Sequence, residues 1–418
     1  MAMSWAPPHR SAAPRRYRPA PMRRRAILLA VLALLGGAVA GCGGRGGELT
    51  SPTQPTVGAA GDDEGAASGL GFPTFATKNT TRVGGADAIA NAAGVARAVY
   101  PGPSVETRPR AVALVDARDW RNGVAAAVLA SPPLRVPILL TNGPELPAAT
   151  RDALAALAPT GAREAGGAQV IRVGDTASPA GRRAASVAGR DPFALAHALD
   201  AYHATTRGRT SARVIVASAD DPGYAMPAAA WAAKSGDPVL FVRRDAIPAE
   251  TRAALTSHRK PRIYVLGPKE TISDRVVAAL GRLGAVKRVG SGDAVRSSID
   301  FARFVDGDFG WGVIDPGHGL VFARADKPLD AAAAAMLSAS GTYGPLILLS
   351  SATRLDAPLA EYLLDIQPGY SKDPVRGVYN HGWIVGDDKA ISVAVQSQID
   401  SLLEISPVNE RNAKRRQS

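Results

Sequence analysis

Cysteine is almost absent: among 418 residues there is only Cys42, so an internal disulfide framework and any zinc site built on several thiolates are excluded. Aromatic residues make up only 5%, few for the stacking platforms that single-stranded nucleic acids and many sugars require. No Gly-rich phosphate cradle followed by Lys and Ser/Thr occurs, Gly84-Gly85 falls short of a dinucleotide fingerprint, and Gly-x-Ser-x-Gly is missing. These gaps leave nucleophilic catalysis without an address and call for no cofactor. What is present, 46% hydrophobic and 21% charged residues, is the balance of a folded globular body.

The net charge of +12 would suit a nucleic-acid binder if it were spread over the body. It is not. Arg10, Arg15, Arg16, Arg18, Arg23, Arg24 and Arg25 all precede Cys42 with no acidic residue among them, and Arg411, Lys414, Arg415 and Arg416 crowd the other end. The segment between is close to balanced, so no nucleic-acid partner is expected.

Met22-Arg23-Arg24-Arg25 followed by the apolar run Ala26 to Leu35 has the charged and apolar regions of a signal peptide, the run being short for a membrane span. Met22 serves as a start as well as Met1 does, and the arginines before Ala26 fit the twin-arginine route as well as the general one. Val39-Ala40-Gly41-Cys42 resembles the bacterial lipobox, in which small residues admit the peptidase and the thiol takes a diacylglycerol. The resemblance implies a chain lipidated at Cys42 and held in membrane lipid on the outer face of the cell membrane. Residues 1–41 then form the lipoprotein signal peptide. Residues 42–78, rich in Gly, Ser, Thr, Pro and Asp, form a flexible tether about 30–35 Å in mean span.

Beyond the tether the chain repeats. Proline-entered apolar strands recur at Val136-Pro137-Ile138-Leu139-Leu140, Asp237-Pro238-Val239-Leu240-Phe241 and Gly344-Pro345-Leu346-Ile347-Leu348-Leu349, with 101 and 107 residues between successive prolines. Each is preceded by a β-rich run, at Ala111–Val115, Arg213–Ala217 and Trp311–Ile314. Each is followed by another ending in glycine, at Val170–Gly174, Ile263–Gly267 and Trp383–Gly386. Unbroken apolar runs of this length suit strands buried on both faces of a parallel sheet. Ala-rich helical stretches lie between them at Gly123–Ala130, Tyr224–Ala233 and Leu329–Leu337, and further helices begin around Pro147, Pro248 and Pro358. Strands alternating with helices imply right-handed βαβ crossovers.

The copies open with Thr81-Arg82-Val83-Gly84-Gly85-Ala86-Asp87, the worn Val187-Ala188-Gly189-Arg190-Asp191, and Lys287-Arg288-Val289-Gly290-Ser291-Gly292-Asp293. With these openings the sequence resembles the bacterial cell-wall-binding repeat type 2 family over about residues 79–405. The resemblance implies an α/β fold: three tandem Rossmann-like or flavodoxin-like repeats with mostly parallel sheets in a pseudo-threefold arrangement. The repeats are placed at 79–183, 184–284 and 285–406, before a basic disordered tail at 407–418. It also implies non-covalent binding of an anionic cell-wall polymer, without catalysis. Family members carry an Asp before the Ala-rich helix; the slots here hold Asn122, Tyr224 and Asp330. The polymer-binding candidates are therefore Arg82, Arg190, Arg288 and Asp330. The arginines precede helix starts, where backbone N–H groups also attract anions. The other reading of the same arginines is that they tie one repeat to the next.

Two further functions share part of this pattern. A solute-binding lipoprotein of a transporter also joins α/β modules to a tether, but is two-lobed. A peptidoglycan amidase is suggested by Val313-Ile314-Asp315-Pro316-Gly317-His318, with His381 as a possible second ligand, but no glutamate follows between His318 and Glu361. A Pro316-Gly317 turn accounts for the segment, and no metal site is expected. His197, His203 and His258 stand singly, as solvated or core histidines do. The oligomeric state is not readable from the sequence.

Overall fold

The computed structural model describes residues 74–408, apart from 103, 341 and 342. The signal peptide, Cys42, the tether up to residue 73 and the tail from residue 409 lie outside the described residues.

The first third of this body runs β1 (Thr74–Ala76), β2 (Thr80–Val83), α1 (Ala88–Val99), β3 (Val112–Asp116), α2 (Trp120–Ala126), β4 (Ile138–Thr141), α3 (Ala148–Leu157) and β5 (Val170–Val173). The second runs β6 (Ala184–Val187), α4 (Pro192–Arg207), β7 (Arg213–Ser218), α5 (Pro222–Ser235), β8 (Val239–Val242), α6 (Ala249–Ser257), β9 (Arg262–Leu266) and α7 (Asp274–Leu280). The third begins β10 (Ala285–Val289), α8 (Ala294–Arg303), β11 (Gly319–Arg324), α9 (Asp330–Ala339) and β12 (Leu346–Leu349). It ends with α10 (Ala357–Asp365), β13 (Gly369–Tyr370), β14 (His381–Val385), α11 (Val393–Leu403) and β15 (Ser406–Pro407). β1 falls within the stretch read as tether and β15 reaches into the stretch read as tail.

Among the described residues three large sheets, ordered β4-β3-β5-β6, β8-β7-β9-β10 and β12-β11-β14-β2-β1, stand beside a two-stranded β13-β15 pair, and every pairing is parallel except β1 with β2. This is the α/β fold expected. Wholly buried apolar runs form both inner strands, as at Val112–Val115 of β3, and edge strands, as at Leu346–Leu349 of β12. The strand that opens each copy hydrogen-bonds to the sheet of the copy before it: β6 completes the first sheet, β10 the second, and β2 reaches the third. The sheets thus cut across sequence boundaries drawn at 184 and 285, and the pairing of β2 with β14 closes the three units into a ring.

At the centre the Ala-rich helices α2, α5 and α9 pack on one another. Small side chains permit the approach: a Cβ on Gly123 would lie 2.7 Å from that of Ala332. One continuous hydrophobic core includes residues of all three sheets and these helices.

One strand is displaced from its expected place. Trp311–Ile314 is not a strand; the third copy uses Gly319–Arg324 instead. Gly310 and Gly312, at φ 98° and 62°, turn the chain on either side of Trp311. The Trp311 ring then packs 5.4 Å from Trp231 instead of joining a sheet.

Candidate functional site

The three openings do the same local work. Asp87, Asp191 and Asp293 cap α1, α4 and α8, each accepting a hydrogen bond from the backbone N–H three residues on. Gly84, at φ 133°, could not be replaced: a Cβ there would stand 2.4 Å from Asn91 Oδ1 and 2.9 Å from the Gly386 nitrogen.

Arg82 is buried, with 7% exposure. Its Nε donates to Gln396 Oε1 (2.9 Å), Nη1 to the carbonyls of Gly386 (2.9 Å) and Asp387 (2.6 Å), and Nη2 to that of Ile391 (2.6 Å). Burial lowers its proton affinity, and nearby Asp388 and Asp387 partly restore it. Arg288 serves the second sheet alike, donating to the carbonyls of Gly267 (2.8 Å) and Ile272 (2.7 Å) and pairing with Asp274. Both therefore hold the loop after the neighbouring strand, which is the tying role, and Arg82 fastens the ring closure. Arg190 is exposed and pairs with Asp191 and Glu250. The first sheet's true counterpart is Arg172, which donates to the carbonyls of Ala177 (3.0 Å) and Thr176 (2.5 Å). It sits on β5 opposite Ser186, whereas Arg82 and Arg288 sit on the partner strand of the equivalent pair. Sequence alignment of the openings could not find it, because the guanidinium has crossed to the adjacent strand.

Asp330 stands apart from these arginines. It is the first residue of α9, 1% exposed, and its Oδ1 accepts a hydrogen bond from Asn91 Nδ2 at 2.8 Å. Its Oδ2 is buried with no hydrogen-bond partner. Burial pushes its pKa up to about 6, against a smaller opposing effect of the Asn91 bond and of Lys327. The carboxyl lines a cavity of about 380 Å³ between the first and third units, whose wall also includes Asp87, Arg118, Trp120 and Lys327. Arg118 is committed to Asp116 (2.7 Å) and Asp175 (3.1 Å), while exposed Lys327 has no carboxylate partner among the described residues. The pocket offers a buried acceptor, an indole ring and cationic groups, the parts needed to hold a hydroxylated, negatively charged chain. Asn91, Arg118, Trp120 and Lys327 were not read as site residues.

At the other two junctions the slot is filled. Asn122 turns its amide onto the Asp116 carbonyl (3.2 Å), and the Tyr224 hydroxyl donates to the Gly292 carbonyl (3.0 Å). The partner position of Asn91 is Leu195 in one and Ser297 in the other.

The amidase-like histidine lies just before β11. His318 Nε2 is 2.9 Å from Asp315 Oδ1, and the Gly317 and His318 amides donate to Asn380 Oδ1. His381 packs on Trp383, 5.0 Å between rings. No three His, Cys, Asp or Glu side chains gather as a metal-holding group among the described residues. His203 meets the Ser131 hydroxyl (2.9 Å) and His258 is clamped between Asp200 and the Ser211 carbonyl (2.7 Å each). No helix among the described residues is long and apolar enough to cross a membrane.

Residues 187–277 match the family model of Cell wall binding domain 2 (CWB2). The family resemblance read from the repeated motifs is thereby met, in the middle unit. Among solved structures, Cwp6 from Clostridium difficile aligns with a TM-score of 0.62 at 18% identity, covering 78% of this chain and 48% of that one. Cwp8 from the same organism aligns with 0.59 at 16%, covering 78% and 52%. These likenesses concern the fold, and the chain spans about half the length of either. No curated protein matches. The CWB2 match over residues 187–277 supports cell-wall binding and, with it, association with the envelope.

Proposed function

We propose that this chain is a lipid-anchored, non-catalytic envelope protein that holds an anionic cell-wall polymer in the junction cleft at Asp330. The observation that carries the proposal is that Asp330, a residue of the cavity wall, keeps a buried Oδ2 without a hydrogen-bond partner. An oxygen left so in an apolar setting costs about 1–3 kcal/mol, and a polymer hydroxyl donating to it removes that cost. Lys327, and the exposed side of the Arg118 guanidinium, attract the polymer's negative groups, and Trp120 offers a face to a sugar ring. Arg190, paired with Asp191 and Glu250, lies outside the cleft, while Arg82 and Arg288 contribute by holding the loops.

Cys42 supplies the second attachment, to membrane lipid. Two weak attachments on one tether strengthen each other through effective concentration. The test is co-sedimentation of the protein with purified walls before and after removal of their anionic polymer, across a salt series. Binding should vanish with the polymer and fall with salt; binding that survives both refutes the reading. Cys42→Ala should abolish incorporation of labelled palmitate.

A further inference from the structure

A second cavity, about 360 Å³, opens at the C-terminal ends of α4 and α5, lined by Arg207, Lys234, Ser235, Thr206 and the Pro132-Pro133 rim. Neither of its cations has an ion-pair partner among the described residues. Lys234 Nζ stands 5.0, 4.5 and 5.1 Å from the ring centres of Trp231, Trp311 and Tyr343, with no carboxylate partner among the described residues. Arg207 has one long contact, 3.4 Å from Nη1 to the Gly236 carbonyl. The nearby carboxylate, Asp237, is already taken: Ser211 (2.6 Å), Arg213 (3.0 Å) and the Trp231 indole (2.9 Å) all donate to it.

The two helix ends carry a partial charge of about −0.5 each. That offsets one of the two cations, leaving about one positive charge, with exposed Arg209 adding to it. Burial lowers the proton affinity of both Lys234 and Arg207, and for Arg207 the neighbouring Arg209 lowers it further, so each gains from a nearby anion.

We propose that this cavity is a binding site for a phosphoryl group, free or within a phosphodiester chain, held between Arg207 of α4 and Lys234 of α5. One guanidinium alone serves a planar carboxylate, whereas a guanidinium and an ammonium on separate helices call for oxygens pointing in more than one direction. A tetrahedral ion presents oxygens to both, and lysine serves it as a point charge. The site lies at the helix C-termini, whereas the Asp330 cleft lies at a helix N-terminus, so it is a second contact and does not rest on the first.

The test is titration of the purified full-length protein with inorganic phosphate, read by calorimetry and by tryptophan fluorescence, since Trp231 and Trp311 flank Lys234. Saturable binding is expected. The double variant Arg207→Gln/Lys234→Gln should bind at least tenfold more weakly. A short glycerol phosphate oligomer distinguishes the source: competition with phosphate assigns the site to polymer, and its absence, with phosphate still bound, to the free ion. No saturable response, or an equal response in a double variant whose circular dichroism matches the parent, overturns the site. Asp330→Asn should leave phosphate binding unchanged, so loss of wall binding there does not touch this result.

Discussion

The junction at Asp330 and the junction at Tyr224 are built from corresponding segments and differ in what occupies one position. Tyr224 fills its slot and satisfies its hydroxyl on the Gly292 carbonyl, whereas Asp330 leaves a cavity and an oxygen without a donor. The first junction, closed by Asn122, follows the second. Two of three equivalent places have settled into stable packing and one retains an unfavourable buried charge. A residue that costs stability where its counterparts do not is the place to look for binding.

The largest expected effect tests whether the ring closure holds the open junction. Arg82→Ala strips donors from three carbonyls and Gln396 and should lower stability by about 3–5 kcal/mol in denaturant titration. Arg288→Ala, on a less buried guanidinium whose units stay joined through the chain, should cost about 1–2 kcal/mol.

Next comes Asp330→Asn, through its pH dependence. A carboxyl whose folded pKa is about 6, against an ordinary 3.8, disfavours the folded state above pH 6 and has no such effect below the ordinary value. The substitution should therefore stabilise the protein by roughly 2–3 kcal/mol at pH 7.5, with the gain shrinking through pH 6 to 4 and gone by pH 3.5. Thermal unfolding across that range checks it. Tyr224→Ala should cost about 1–2 kcal/mol through the lost ring contacts and hydroxyl bond and leave wall binding unchanged. Asp330→Tyr, which closes the third slot, should abolish wall binding. The smallest effect concerns the crossed guanidinium. Arg172→Ser should cost about 1–2 kcal/mol, and adding Ser186→Arg should recover most of it, as a double-mutant cycle would show.

The strands and helices were legible because each announces itself locally. Apolar runs entered by proline became β4, β8 and β12, and the aspartates of the openings became helix caps. Partnership is not local. Nothing in Thr80–Val83 states that its strand pairs with residues 300 positions away, and so the ring closure and the tying role of Arg82 emerged only from the sheet. Trp311–Ile314 misled because its composition suits a strand while its flanking glycines turn the chain. Of the candidate site, Asp330 was visible by counting along the repeat. Asn91, Arg118 and Trp120 were not, since they reach the cleft from another unit.

The most direct measurement is wall co-sedimentation of Asp330→Asn beside the parent protein at pH 7.5, with unfolding stability measured on the same preparations. The account predicts a more stable protein that no longer binds the polymer. A variant that binds walls as the parent does would contradict it, whatever its stability.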